Sequence, residues 1–175
     1  MNDVIKAMIE RRSIRKFKPD MVPQEVIDEI INAGLYAASG YGKQKSIIIE
    51  VTNKDFIKKL SEVNRKIAGW PEGMDPFYGA PVVLIVLDEK DWDTSGYDGS
   101  LVIGNMMLAA HTLGVGSCWI HRAKQEFEMP EYKELLKSLG VEGEWVGVGH
   151  CAIGYSDMPE QQPHKRRENR VFCIK

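Results

Sequence analysis

A chain of 175 residues, 43% hydrophobic and 27% charged, has the length and mixture of one globular unit, so a single domain over 1–175 is expected. No apolar run approaches the roughly 20 residues of a membrane helix, and the first residues lack the apolar block and cleavage site of a secretory leader, so a cytoplasmic protein with no membrane partner is expected. The net charge of -2 hides two basic ends, Lys6, Arg11, Arg12, Arg15, Lys16 and Lys18 at one and Lys165, Arg166, Arg167, Arg170 and Lys175 at the other, on an acidic body; that pattern suits a local anion site and argues against broad coating of nucleic acid.

Val4, Ile5, Met8 and Ile9 recur at helical spacing and predict a short amphipathic helix over 2–11. The basic stretch RRSIRKFK follows, and Pro19 marks extended or turning chain. Pro23 stands where a helix's first turn tolerates it, ahead of a helix carried by Val26, Ile27, Ile30, Ile31 and Leu35. SGYGK (39–43) reads as a turn. SIIIEVT (46–52) reads as a buried strand, and Asn53 or Asp55 can cap the next helix, where Phe56, Ile57, Leu60 and Val63 share a face. Residues 69–81 are rich in glycine and proline and form a long irregular loop, a kind of segment that is often functional. PVVLIVLD (81–88) is a second buried strand. Residues 98–113 are apolar nearly all round, which predicts a helix buried on most sides, in the core or at a subunit interface. SCWIH (117–121) is a short strand, Pro130 opens a helix through Leu139, and WVGVGHCAIGY (145–155) is a glycine-rich strand. VFCIK, at the end, has the composition of a terminal strand. Helices and strands in this order predict an α+β or α/β sandwich around one sheet.

Cys118, Cys151 and Cys173 form no CxxC pair, and His111, His121, His150 and His164 show no ligand spacing, so no metal site is expected. Arg11, Arg12, Ser13 and Arg15 place three guanidiniums and a hydroxyl within five residues, able to fork onto a phosphate. The preceding helix ends here, and a helix C-terminus repels anions, so side-chain charge must do any holding. A solvated basic loop is the competing explanation. Lys165, Arg166 and Arg167 gain weight only if the tail folds back to this cluster. The chain has no GxSxG elbow, no GxxxxGK[ST] loop and no HExxH helix, and GVGS (114–117) follows a helix, unlike a dinucleotide fingerprint. Phosphate-binding groups without an evident catalytic side chain suit a cofactor-driven mechanism, so no residue is nominated as catalytic.

RRSIRKF, ASGYGKQ (38–44), FYGAPVVLIV (77–86), DGSLVIGNMMLAAHTLGVGSCWI (98–120), AIGY (152–155) and the basic tail together resemble the FMN-binding nitroreductase family from end to end. The resemblance implies a nitroreductase-like α+β fold, an α/β sandwich with a central, mainly antiparallel sheet flanked by helices, forming a homodimer with FMN at the interface. It implies that Arg11 and Ser13 contact the FMN phosphate, that Arg12 lies along the ribityl-phosphate side, and that Arg15 approaches the pyrimidine end. A cation there stabilises the negative charge of reduced flavin. Lys165 and Arg167 return from the tail to the phosphate, with Arg166 the alternative if the register shifts by one. Ser39 and Gly40 come from the partner subunit to flank the ring, and Gly116 and Ser117 lie near the flavin. The implied reaction is two-step: NAD(P)H gives hydride to flavin N5 and leaves, and a small electron acceptor such as a nitroaromatic or quinone then enters.

The chain departs from the family pattern at Gly42, where asparagine is usual, at Lys45 and Ser46, where Pro-Trp is usual, and at Ser156. These departures imply a more open flavin face, with Tyr41 as a candidate cover. Asn64 is either at the flavin's pyrimidine edge or solvated on its helix; Trp70, Phe77 and Tyr78 either line the substrate side or pack their loop. Two other functions compete: a flavin-binding carrier or sensor without turnover, motivated by the altered 39–46 loop, and a nucleic-acid binder using the basic ends. The last predicts steep salt dependence and lacks aromatics interleaved with the basic residues.

Overall fold

The computed structural model describes all 175 residues and contains one four-stranded antiparallel sheet. Its strands are β1 (Ser46–Val51), β2 (Val82–Glu89), β3 (Gly116–Ile120) and β4 (Trp145–Gly154), in spatial order β1-β2-β4-β3. The helices are α1 (Asp3–Glu10), α2 (Gln24–Leu35), α3 (Lys54–Ile67), α4 (Tyr97–Thr112), α5 (Ala123–Glu128) and α6 (Pro130–Ser138). A short 3-10 turn spans Gly40–Gly42. The architecture is therefore mixed helix and antiparallel sheet: the element order predicts one sheet among helices, and the antiparallel pairing is what the resemblance implies. No helix is long and apolar enough to cross a membrane.

The sheet has apolar cores on both faces because alternate side chains of a strand point to opposite sides. Val83, Ile85 and Leu87 of β2 join the core that Leu60, Phe127 and Leu136 contribute from α3, α5 and α6. Val82, Leu84 and Val86 join the core built from Ile27 and Ile30 of α2 and Ile103 and Met106 of α4. Hence β2 is buried from Val82 to Asp88 and reads as a continuous apolar run without alternation.

Two polar devices fix the helices. The Asn53 side chain accepts a hydrogen bond from Phe56 N (2.9 Å), which caps α3 as predicted. Asp88, fully buried at the end of β2, accepts from Gly96 N (2.6 Å) and Gly99 N (3.0 Å) at the start of α4 and from the Ser46 hydroxyl (2.5 Å). A carboxylate so placed satisfies orphan amides and complements the positive end of the helix. Gly99 is needed for this close seating: a Cβ there would stand 2.7 Å from Val148 and 2.8 Å from Asp88 Oδ1.

Within its own chain α4 buries one side, through Val102, Ile103, Met106 and Ala110, while Leu101 is half exposed on the side that an interface with a second copy would cover. Elsewhere the structure departs from expectation. VFCIK forms no strand within its own chain, and Val171, Phe172 and Ile174 are exposed. Helix α5 was not anticipated; six residues give too little periodicity to read.

Candidate functional site

The basic segment after α1 is zipped between two parts of the chain. Ser13 bridges Ser117 at the start of β3, and Ile14 N donates to Ser117 O (2.9 Å). Further on, Phe17 bridges Ser156, Lys18 N donates to Tyr155 O (2.8 Å), and Lys16 pairs with Asp157 (2.6 Å). That ion pair holds the Asp157 carboxyl below its ordinary range, with Lys16 as both hydrogen-bond donor and neighbouring charge. The basic loop therefore lies against the chain that leaves β4, and the tail continues past it.

A cavity of about 720 Å³ opens between them, bordered by Arg11, Arg12, Ser13 and Arg15 on one side and by Gln161, His164 and Arg166 on the other. The two basic ends of the sequence do meet. The tail residue facing the cavity is Arg166, the one-residue register alternative; Lys165 pairs with Glu168 (3.2 Å) on the surface, and Arg167 is exposed. An adjoining cavity of about 700 Å³ is bordered by Arg11, Arg12, Gly116 and Ser117, so the start of β3 belongs to the same region.

The arginines differ in what they can do. Arg12 turns its guanidinium back onto the end of α1, donating from Nη2 to Ile9 O (2.6 Å) and from Nη1 to Arg11 O. It thereby offsets the anion-repelling helix C-terminus. Arg11 Nη1 and Arg12 Nε are buried with no hydrogen-bond partner. A buried, unpaired guanidinium donor is costly unless something outside the chain accepts from it. An anion with several acceptor oxygens, such as a phosphate monoester, fits that need. Arg15 and Arg11 also act on Cys118: burial pushes its thiol up, and Arg15, a Ser13 hydrogen bond and Arg11 partly oppose the rise.

Gly116 serves the fold as much as the cavity, because a Cβ there would stand 2.7 Å from Ile14 and 3.1 Å from Gly154 O. Ser117 is buried, with its hydroxyl 3.5 Å from Met107 O. Ser39 and Gly40 border neither arginine cavity. Ser39 Oγ accepts from Gln44 N (3.0 Å), and Gly40 N donates to the buried Asp98 carboxylate (3.1 Å) at the start of α4, where the Thr94 hydroxyl also donates (2.9 Å).

A second polar cluster was not anticipated. Asn64 is fully buried, not solvated, and its Nδ2 donates to Glu126 Oε1 (2.6 Å) and to His121 O (2.8 Å). His150 Nε2 lies 2.7 Å from Glu126 Oε2, and Nδ1 lies 3.2 Å from Ile120 O. All three side chains are inaccessible to solvent. The signal was the spacing: Ile57, Leu60 and Asn64 share the core-facing stripe of α3. Phe77 packs edge-on against His150, with centroids 5.2 Å apart. Beside this cluster Arg122 adopts the left-handed backbone (φ 84°), which costs a non-glycine residue about 1–2 kcal/mol. Its guanidinium stacks on Trp70 (4.7 Å) and reaches Asn64 Oδ1 (3.4 Å).

Fold and site together define a class: an antiparallel α+β sandwich with an arginine-lined cavity where its two ends meet. The nitroreductase family model matches residues 8–155, and the chain belongs to that family. A Methanothermobacter thermautotrophicus protein, provisionally assigned as an NADH dehydrogenase/NAD(P)H nitroreductase, is 32% identical over 143 residues, which cover 74% of this chain and 71% of the relative. An FMN reductase [NAD(P)H] of Bacillus subtilis is 32% identical over 168 residues, covering 79% and 65%. A nitroreductase structure with bound FMN from Bacteroides fragilis superposes with a TM-score of 0.90 at 27% identity, covering all of both chains.

Proposed function

We propose that the protein is a cytoplasmic FMN-dependent NAD(P)H oxidoreductase, a single flavin-binding unit over 1–175 that acts as a homodimer on small acceptors such as nitroaromatics or quinones. The observation that carries this is the buried, partnerless Nη1 of Arg11 inside a cluster of four cationic or hydroxyl groups. The named relatives, an FMN reductase [NAD(P)H] and a nitroreductase with bound FMN, support the choice of anion.

On this reading Arg11 and Ser13 hold the phosphate, with Arg166 closing over it from the tail in preference to Lys165 or Arg167. Arg12 fixes the end of α1 and lends its charge. Arg15 lies beyond Ser13 and supplies a cation to the ring's pyrimidine end; Gly116 and Ser117 form the wall beneath. Ser39 and Gly40 reach the ring of the partner's cofactor, since in their own chain they sit at the start of α4. The chemistry that bound FMN supplies is hydride uptake from NAD(P)H and its transfer to a second substrate. The chain's part is to bind, orient and stabilise negative charge; no side chain need attack.

Purified protein should be yellow, and anaerobic NADH or NADPH should bleach it. Colour without bleaching by either nucleotide would favour the carrier or sensor function; no uptake of added FMN would overturn the flavin reading altogether.

A further inference from the structure

The turn after β3 is held with unusual rigour for a surface connection. His150 faces Ile120 O, Asn64 donates to His121 O, and Arg122 reaches Asn64 Oδ1, so one buried cluster grips three consecutive residues. The His150 ring is clamped at both nitrogens, with Nδ1 3.2 Å from Ile120 O and Nε2 2.7 Å from Glu126 Oε2. Polar groups in such a place are poor sources of stability compared with apolar packing, but they fix geometry. The geometry they fix is strained: Arg122 is left-handed, a backbone state that clusters at functional sites.

Arg122 is also an uncommitted charge. It forms no ion pair with any carboxylate. Both oxygens of nearby Glu126 are occupied, by Asn64 and His150. Trp70, on which the guanidinium stacks, is itself held by Arg65, which donates to Trp70 O (3.1 Å). β3 runs from Ser117 at the arginine cradle to Ile120, about 10 Å of extended chain, and Arg122 follows two residues past its end. A flavin held by its phosphate in that cradle would have this strand beside it.

We propose that Arg122 is a specificity-determining residue that draws acceptors bearing an anionic group to the ring end of the site, with Asn64, Glu126 and His150 as the positioning residues that aim it. This rests on the flavin oxidoreductase reading above. The test compares 4-nitrobenzoate with 4-nitrobenzamide, near-isosteres that differ in charge, on FMN-loaded wild type, Arg122→Gln and Arg122→Gly. Glycine removes the charge while relaxing the left-handed backbone, so one variant keeps the fold even if the other strains it.

Both variants should lose about tenfold in kcat/KM for the carboxylate and little for the amide, the scale of one charge-assisted hydrogen bond. Binding of unreactive benzoate, read from the flavin absorbance of the oxidised protein without turnover, should weaken by the same factor. Glu126→Gln, which keeps the shape, should reduce the carboxylate preference at unchanged FMN affinity; an intact preference would remove the positioning role. Equal losses on both acceptors, or none, overturn the proposal, as does a rise in KM confined to NAD(P)H, whose phosphates present the same chemistry. Failure of the wild type to bind FMN or to be reduced sinks the parent reading instead, and is seen before any variant is compared.

Discussion

At the residue scale the site depends on guanidinium donors that the fold leaves without partners. Arg11→Ala should weaken FMN binding by about 1.5–3 kcal/mol, the range for a hydrogen bond to a charged group. Fluorescence titration of the apoprotein checks this, and wild-type affinity would reject the phosphate role of Arg11. Arg15→Ala should alter flavin reduction more than FMN affinity, since its charge is assigned to the ring end; a purely affinity-based defect would move it to the phosphate. The two core thiols give a pH test. Burial is the main cause that raises Cys118, and burial with the neighbouring Cys118 pushes Cys151 up to about 12. Both should resist alkylation at pH 8 in the folded state and react in urea. In an unfolded chain these thiols lose their protons first, so folded stability falls as pH rises from the ordinary thiol range toward 12. Substituting both cysteines with alanine should flatten that fall in alkaline urea denaturation.

At the element scale, the strands and long helices were legible because their burial is periodic or continuous. SIIIEVT and PVVLIVLD read as strands from their β-branched, apolar composition, but only β2 is buried throughout; β1 lies at the sheet edge and is half-buried. The arginine cluster was legible too, as a run of donors without an obvious job. What escaped depended on partners distant in sequence. Asn64 looks like a helix-surface amide until Glu126 and His150 are placed beside it, 62 and 86 residues further along the chain. Choosing Arg166 over Arg167 takes the path of an irregular tail, which no periodicity encodes. Asp88 likewise reads as the polar end of a strand, yet it organises the start of α4. Its removal orphans two amides and the Ser46 hydroxyl together. Asp88→Ala should therefore cost about 3 kcal/mol, combining unsatisfied donors with the lost helix-end charge. Urea unfolding of the apoprotein measures it; a loss below about 1 kcal/mol would show that water replaces the carboxylate.

At the scale of the whole molecule, the chain leaves apolar surface that one copy does not cover. Helix α1 has no buried residue, and Val4, Ile5, Met8 and Ile9 are each about half exposed. Eight residues make too short a helix to persist in water without packing. Leu101 on the outer side of α4 is 50% exposed, and the tail presents Val171, Phe172 and Ile174 at 84–104%. Four half-exposed apolar side chains on one face of α1 mark a surface that asks for a partner, and a second copy is the occupant proposed above. It would also bring Ser39 and Gly40 to the cofactor, so assembly and flavin retention should fall together. Ile5→Lys with Met8→Glu should shift micromolar protein from dimer to monomer in sedimentation velocity and release FMN in parallel. Cys173, exposed within the tail, reports the same event independently: docking of the tail on a partner should slow its alkylation as protein concentration rises. A wild type that sediments as a monomer yet retains FMN, with concentration-independent labelling of Cys173, would mean that each chain completes its own site and that the apolar stripe on α1 serves something else.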